Sequence, residues 1–250
     1  MVTAITAQGI VLDRTVFYPL GGGQAGDSGV LVLQSRPRAG QEITIADTRK
    51  GKDAEGHFTS DICHIPRSEP GQDPSTGTPT AIPGLKVGDT VIARIDWARR
   101  HKLMRFHTTT HLLCHLVPQL VNGCSITPEY ARLDFNMTDP LDKDILSAGI
   151  ARLVAAGYTL TVGSITDAEL DANPALVKSM SVQPPRGSGS IRTIRIGADD
   201  LIDFQPCGGT HVANTAEIGA VIVTRIEKKS ATTRRVVLGF ALAAKALFQR

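Results

Sequence analysis

Aromatic residues are scarce in this chain of 250 residues, at 4% of the total. Proteins that stack nucleic-acid bases need exposed aromatic side chains, so this scarcity argues against a base-stacking surface. The four cysteines are widely spaced, which argues against a disulfide framework. Classical zinc fingers also fit poorly, because Cys207 has no cysteine close to it in sequence. The pattern is typical of a reducing compartment and predicts a cytoplasmic protein.

Membrane signals are also missing from the sequence. No basic segment followed by an apolar one resembles a signal peptide, and no run of about 18 apolar residues could span a bilayer. The net charge of +3 permits a polyanionic partner without requiring one. The hydrophobic content of 42% is ordinary for a globular protein, and the length suffices for one large domain or two smaller ones.

The first 95 residues consist of short β-prone runs separated by Gly, Pro and Asp. Short strands with frequent turns are typical of a small antiparallel barrel or sandwich, and of these two we predict a β-barrel over residues 1–95. A glycine-dense loop, Tyr18–Gly29, lies within this region, and repeated glycines allow a close approach to a partner. The stretch from Ile65 to Leu85 is rich in Pro, Ser, Thr and Gly, which predicts a solvated insertion.

From residue 96 onward, helices and strands are mixed without a regular βαβ rhythm, which predicts a two-layer α+β domain over residues 96–250. A helix is expected to begin at Asp96, whose carboxylate can cap the first turn, and to end near Pro118. Further helices are expected at 141–155 and 241–248, and strands at 130–135, 158–162, 191–196, 220–226 and 235–240.

Two short motifs carry the chemistry. In His107-Thr-Thr-Thr-His111 the imidazoles are four residues apart and share one side of the expected helix. In Cys207-Gly-Gly-Thr-His211 a thiol and an imidazole flank a Gly-Gly pair that can turn the backbone. Imidazole and thiolate are the ligand types that select zinc. We therefore predict that His107, His111, Cys207 and His211 bind one zinc ion.

The role of such a metal is open at this stage. A zinc site with four protein ligands is normally structural, whereas a hydrolytic site keeps one position for water or substrate. Three arrangements would allow a site with four protein ligands to take part in hydrolysis. One ligand binds loosely, or the metal accepts a fifth ligand, or the metal positions the substrate without activating water. No carboxylate lies between His107 and His111, so the base of the His-Glu-x-x-His metalloproteases is missing. Asp203 and Glu217 flank the second motif. Each is a candidate either to orient metal ligands or water, or to serve as a solvated residue or a cap of a turn or helix.

These residues resemble the editing domain of alanyl-tRNA synthetases and its freestanding AlaX-type relatives. The resemblance rests on the two metal motifs, on Thr215-Ala-Glu-Ile-Gly219 and on the glycine-rich loop Phe17–Gly29. Editing domains of threonyl-tRNA synthetases share the His and Cys skeleton, but Cys-Gly-Gly-Thr-His is closer to the alanyl version. Segments for aminoacylation are not found, so the resemblance implies a freestanding enzyme that acts in trans.

The resemblance implies an aminoacyl-tRNA deacylase. Its substrate would be tRNA(Ala) mischarged with serine, with glycine as the second candidate, and its four metal-motif residues would be zinc ligands. Thr127 is the candidate that reads the seryl hydroxyl, and Gln24 is the candidate polar contact from the glycine-rich loop. A polar pocket can reject alanine because a buried hydrogen-bonding group would then lack a partner.

Basic residues near the motifs are candidate phosphate contacts for tRNA. They form two sets: Arg99, Arg100, Lys102 and Arg105, then Arg225, Lys228, Lys229, Arg234 and Arg235. Two other functions also fit the sequence. One is a deacylase for another aminoacyl-tRNA, such as Ser-tRNA(Thr). The other is a non-catalytic, zinc-stabilised tRNA-binding module, which would unfold without metal and cleave no ester.

Overall fold

The computed structural model describes residues 1–67, 84–184, 186–187 and 189–241. The chain divides into two compact units: Met1–Gly21 with Ala25–Arg100, and Gly22–Gln24 with the chain from His101 onward. The insertion expected at 65–85 and the helix expected at 241–248 lie mostly outside the described residues. The expected domain division between residues 95 and 96 stays a prediction.

The first unit contains one antiparallel sheet. Its strands are β1 (Val2–Thr6), β2 (Gly9–Leu12), β3 (Gly29–Leu33), β4 (Glu42–Lys52), β5 (Phe58–Pro66) and β6 (Val91–Ile95). The strand order is β1-β2-β5-β4-β3-β6, and every neighbouring pair is antiparallel. The expected antiparallel strands are confirmed. No ladder joins β1 to β6 within the described residues, so closure into a barrel is unconfirmed.

The core of the first unit follows from the alternation of side chains along its strands. Leu31 and Leu33 of β3 and Ile43 and Ile45 of β4 are buried, while the residues between them are more exposed. Alternate side chains of a strand point to opposite faces, so one face of the sheet carries the core. Leu31 is paired with Ile43, which places these side chains together.

The helix expected after Asp96 is present as α1 (Trp97–Leu116). The Asp96 carboxylate accepts a hydrogen bond of 3.0 Å from the Arg99 N–H, which is the expected cap. Every residue from Phe106 to Cys114 is buried. A helix that is buried on all sides lies in the interior of its unit, so its polar side chains need internal partners.

Two antiparallel sheets form the rest of the second unit. One contains β7 (Val121–Ile126), β8 (Ala131–Asn136), β12 (Val221–Ser230) and β13 (Thr233–Phe240), in the order β12-β13-β8-β7. The other contains β9 (Leu160–Ile165), β10 (Ile191–Ile196) and β11 (Asp203–Pro206), in the order β11-β10-β9.

Few helices accompany these sheets. Besides α1, the described residues form α2 (Lys143–Ala155), α3 (Asp167–Ala172) and two 3-10 turns at Pro174–Leu176 and Thr215–Ile218. The expected α+β class is confirmed by this mixture of antiparallel sheets and a small number of helices. None of the helices in the described part of the chain is long and apolar enough to cross a membrane.

Candidate metal centre

The four residues of the two metal motifs converge within the second unit. His107 and His111 come from α1, and Cys207 and His211 come from the loop after β11. Their ligand atoms all lie within 4.8 Å of one another. The Cys207 Sγ is 3.4 Å from His107 Nε2 and 3.3 Å from His211 Nε2. Three imidazoles and one thiol at these distances could hold a metal ion.

The Gly-Gly pair allows the loop after β11 to reach α1. A Cβ atom on Gly209 would lie 2.0 Å from the Cε1 atom of His107, which is far inside any allowed contact. A Cβ atom on Gly208 would meet nothing within 4 Å. The motif therefore needs glycine at 209 because the backbone touches a ligand ring there, whereas position 208 faces open space.

Gln24 fixes the proton on the His107 ring. The Thr210 N–H donates to Gln24 Oε1 at 3.1 Å, and Gln24 Nε2 donates to Thr210 Oγ1 at 2.8 Å. These two contacts identify which amide atom is the oxygen. His107 Nδ1 lies 2.7 Å from the same Oε1, so it must be the protonated nitrogen. The lone pair of His107 Nε2 therefore faces Cys207.

Asp203 fixes the proton of the His111 ring on Nδ1. The His111 Nδ1 donates to Asp203 Oδ2 at 2.7 Å, and Asp203 as a whole residue is 2% exposed. Lys178 is paired with the other carboxylate oxygen, and Gln205 Nε2 donates to Oδ2 at 2.9 Å. A carboxylate behind a ligand histidine is a common arrangement in metal sites, because it holds the ring and makes the other nitrogen a better donor.

The third imidazole has a hydroxyl partner. Thr108 Oγ1 lies 3.1 Å from His211 Nδ1 and also accepts the Val212 N–H at 3.3 Å. Each of the three histidines thus has an oxygen atom next to Nδ1 and directs Nε2 to the cluster. This shared orientation is what a metal centre requires.

The electrostatics of the cluster favour the deprotonated form of Cys207. Burial would raise the pKa of the Cys207 thiol, but the three imidazoles around it hold that pKa far below its ordinary value. Burial would lower the pKa of His111, but its bonds to Asp203 and Cys207 raise that pKa to about 9. Burial and the nearby His107 lower the pKa of His211 to about 3. This shift favours the thiolate form of Cys207, which is the form that binds metals.

The other cysteines near the site behave differently. Burial raises the pKa of both Cys114 and Cys124 to about 12, so both remain thiols at neutral pH. Glu217 belongs to a capping box with Asn214 at the turn Thr215–Ile218, and it accepts the N–H groups of Ala213 and Asn214. Asp203 contacts His111 of the cluster, whereas the hydrogen bonds seen for Glu217 among the described residues are those of the capping box.

The two expected pocket residues lie in different surroundings. Gln24 is fully buried against His107 and Thr210, as described above. Thr127 lies in the turn between β7 and β8, where its Oγ1 accepts from the N–H groups of Glu129 and Tyr130 and donates to the Tyr130 carbonyl at 3.1 Å. Within the described residues, no hydrogen bond joins Thr127 to the four clustered side chains.

Most of the candidate phosphate contacts have partners inside the protein. Within the first unit, Arg99 donates to the Gly26 carbonyl and Arg100 binds Asp27; within the second, Arg105 donates to the Ile218 carbonyl. Arg225 and Lys229 pair with Glu227, Arg235 with Asp134, and Arg234 with backbone carbonyls. Lys102 and Lys228 are exposed, and no partner of either is seen among the described residues.

Several residues that support the cluster were not singled out from the sequence: Thr108, Lys178, Arg192 and Thr210. Thr108 and Thr210 lie inside the two motifs, so their position was a usable signal. Lys178 and Arg192 reach the site through the fold from distant segments, and no local pattern marks them. Arg192 donates from Nη1 to the carbonyls of Cys207 and Gly209.

Comparison with known proteins defines the class of this chain. The family described as the threonyl and alanyl tRNA synthetase second additional domain matches residues 191–237, which include Cys207 and His211. An alanine–tRNA ligase from Metallosphaera sedula is 34% identical over 227 residues, covering 88% of this chain and 22% of the ligase. The chain is thus related to one part of a much longer synthetase.

Freestanding relatives match over most of their length. The alanyl-tRNA editing protein AlaX-M of Saccharolobus solfataricus is 32% identical over 242 residues, which are 94% of this chain and 90% of the relative. AlaX-M of Methanosarcina barkeri is 32% identical over 238 residues, which are 91% and 86% of the two chains. The chain belongs to the family of AlaX-type alanyl-tRNA editing proteins, a family of aminoacyl-tRNA deacylases.

Proposed function

We propose that this protein hydrolyses, in trans, the ester that joins serine to tRNA(Ala), with glycyl-tRNA(Ala) as the second substrate. The observation that carries the proposal is the cluster of three imidazoles and one thiolate, each imidazole held through Nδ1. The editing activity named for the AlaX-M relatives supports the same assignment. We place this activity in the cytoplasm, in keeping with the spacing of the cysteines.

We further propose that the metal is zinc and that His107, His111, Cys207 and His211 are its ligands. The donor set suits zinc, and Gln24, Asp203 and Thr108 supply the supporting contacts that such sites need. Bound zinc would supply positive charge that polarises or positions the ester carbonyl. An aminoacyl ester is already activated, so a positioned water and this electrostatic help suffice for useful acceleration.

The two pocket candidates receive different roles in this proposal. Gln24 acts through His107, whose ring it holds, so we regard it as a positioning residue. Thr127 stays our candidate for the group that reads the seryl hydroxyl. To do so, its O–H would exchange the Tyr130 carbonyl for the substrate hydroxyl, which would cost one internal hydrogen bond and gain another.

We assign tRNA binding to the exposed lysines for which no ion-pair partner is seen among the described residues. Lys102 and Lys228 are our candidates for phosphate contacts, because exposed cations that neutralise phosphates release the counterions condensed on the nucleic acid. We keep the division into a barrel domain over residues 1–95 and an editing domain over residues 96–250 as part of the proposal.

The test is a comparison of four esters in single-turnover hydrolysis: Ser-tRNA(Ala), Gly-tRNA(Ala), Ala-tRNA(Ala) and Ser-tRNA(Thr). We expect fast loss of serine from tRNA(Ala), with alanine spared by roughly 100-fold or more relative to serine, since a missing hydroxyl leaves its partner unpaired. Glycine also lacks the hydroxyl, so we expect its loss to be slower than that of serine. Fast cleavage of Ser-tRNA(Thr) alone would assign the protein to another tRNA. Cleavage of none of the four would refute the deacylase proposal.

A further inference from the structure

Arg192 holds the peptide groups around Cys207. Its Nη1 donates to the Cys207 carbonyl at 2.6 Å and to the Gly209 carbonyl at 2.9 Å. The backbone of the same residue accepts the Cys207 N–H at 3.1 Å. One arginine on β10 therefore fixes the direction of two peptide groups in the loop that carries the thiolate.

A peptide group that is held by its carbonyl has its N–H directed the opposite way, because the group is planar and trans. The carbonyl of Gly209 points to Arg192, and the N–H of Thr210 in the same peptide group points to Gln24 Oε1, 3.1 Å away. The carbonyl of Cys207 also points to Arg192. The Gly208 N–H of that peptide group must therefore point away from Arg192.

The backbone N–H of Gly208 is an unpaired hydrogen-bond donor at a solvent-exposed position. The neighbouring Gly209 N–H lies 3.4 Å from Cys207 Sγ, and Thr210 N–H is bonded to Gln24. The Gly208 N–H has no acceptor within the described residues, and Gly208 is exposed to solvent. Apart from its two chain neighbours, no described residue has an atom within 4 Å of the place where the Gly208 Cβ would be. An oriented, unpaired N–H beside the metal ligands is available to a substrate oxygen.

We propose that the Gly208 N–H, oriented by Arg192, donates a hydrogen bond to the carbonyl oxygen of the scissile ester. The inference rests on the proposed function. In the reaction, a water oxygen bonds to the ester carbon and the carbonyl electrons move onto the carbonyl oxygen, which becomes an oxyanion. Collapse of this intermediate breaks the bond to the ribose oxygen, which takes the proton that water gives up. The products are the free amino acid and tRNA.

The donor acts on charge that appears during the reaction, so it favours the transition state over the bound substrate. Arg192 is a positioning residue, because it touches the protein backbone and acts through Gly208. A purely structural role for Arg192 would instead change the metal content or the stability of the protein. These two roles can be separated experimentally.

The first arm is kinetic and compares Arg192→Met with Arg195→Met. Arg195 lies on the same strand and also donates to two carbonyls, those of Gly197 and Ala198, so it is a matched control. We expect Arg192→Met to lower kcat for Ser-tRNA(Ala) by about 100-fold, as for the loss of one oxyanion donor, with KM and zinc content nearly unchanged. Arg195→Met should keep the wild-type kcat.

The second arm observes the amide directly in wild-type protein. Cys207-Gly208 is the only Cys-Gly pair in the sequence, so carbonyl-¹³C cysteine with ¹⁵N glycine yields one HNCO cross peak, from Gly208. The probe is the amide analogue of 3′-seryl-adenosine, which cannot be hydrolysed. We expect the Gly208 proton to shift downfield at saturating analogue in wild type and in Arg195→Met, with a smaller shift in Arg192→Met.

The outcomes are distinct. A Gly208 resonance that does not move at saturating analogue overturns the inference, even if Arg192→Met fails to fold. Equal kcat values for the two arginine variants, in an active wild-type enzyme, overturn the role of Arg192 and leave the deacylase proposal intact. A wild-type protein that cleaves no ester overturns both. A kcat loss confined to Arg192→Met, together with the shift, supports the inference.

Discussion

Buried histidines occur in both units of the protein, and their surroundings differ in an informative way. In the first unit, His64 is fully buried with both ring nitrogens bonded: Nδ1 to the Ile10 carbonyl at 2.8 Å and Nε2 to Thr15 Oγ1 at 2.7 Å. In the second unit, buried His107 and His111 have an oxygen partner on Nδ1 alone, and Nε2 faces the cluster.

The comparison separates a core histidine from a candidate ligand. A histidine that satisfies both nitrogens inside the protein has no lone pair left for a metal, however deeply it is buried. A buried histidine whose second nitrogen meets only other imidazoles and a thiolate could offer that nitrogen to a cation. Burial by itself therefore says little, and the partner of the second nitrogen decides between the two roles.

The largest effect is expected from a methyl group at the cluster. Gly209→Ala places Cβ against the His107 ring, so we predict a loss of zinc affinity well beyond 100-fold, more than loss of one supporting contact costs. Gly208→Ala is the matched control, since its Cβ meets open space. Equilibrium dialysis with zinc measures both. Equal affinities in the two variants would mean that the His107 ring is not a ligand.

Two substitutions test the difference between His107 in the cluster and His64 in the core, because each removes the hydrogen-bond partner of one ring. Gln24→Leu removes the acceptor from His107 Nδ1, and we predict a loss of zinc affinity of roughly 10- to 100-fold. Thr15→Val removes the partner of His64 Nε2, and we predict unchanged zinc affinity with a stability loss of about 1 kcal/mol. A Gln24→Leu protein with wild-type affinity would contradict its positioning role.

A smaller effect concerns the stability of the protein in acid. Burial lowers the pKa of His64 below its ordinary value of 6.5, although the bond to the Ile10 carbonyl opposes this. The folded protein keeps His64 neutral just below pH 6.5, while the unfolded chain takes up a proton there. Stability therefore falls as pH drops from 6.5 to the lower folded pKa, by at most about 1.4 kcal/mol per pH unit.

This pH dependence is checked by urea unfolding at pH 7 and pH 5. His64→Gln should show a smaller loss between the two conditions than wild type. His57→Gln, which changes an exposed histidine, should show the wild-type loss. If His64→Gln and His57→Gln lose the same stability on acidification, His64 is not the group responsible.

The sequence indicated part of the fold because local chemistry decided it. Asp96 could cap a helix and Pro118 could not continue one, and α1 lies between them. Strands rich in β-branched residues, such as β10 with three Ile and one Thr, were also expected. β7 and β11 were not, since Val-Asn-Gly-Cys-Ser-Ile and Asp-Phe-Gln-Pro have weak β-propensity and depend on their neighbours in the sheet.

At the candidate site, too, local sequence predicted some features, while others depend on the tertiary fold. Two motifs with fixed spacing were enough to predict that four side chains would meet, and their ligand atoms do lie within 4.8 Å. The contacts of Gln24 and Arg192 could not be predicted from local spacing, because Gln24 pairs with residues 83 and 186 positions away and Arg192 pairs with the loop beyond the next strand. Spacing within a motif encodes a shared face, whereas the supporting partners are chosen by the tertiary fold.

The most direct test of the account follows one preparation through three states: zinc-loaded, stripped by chelation, and reloaded. Hydrolysis of Ser-tRNA(Ala) and circular dichroism are measured in each state. We predict rapid hydrolysis, then loss of hydrolysis with the secondary structure retained, then recovery when zinc is returned. Unchanged hydrolysis after complete removal of zinc would contradict a metal-dependent deacylase. Unfolding on removal, without hydrolysis in any state, would instead support a zinc-stabilised binding module.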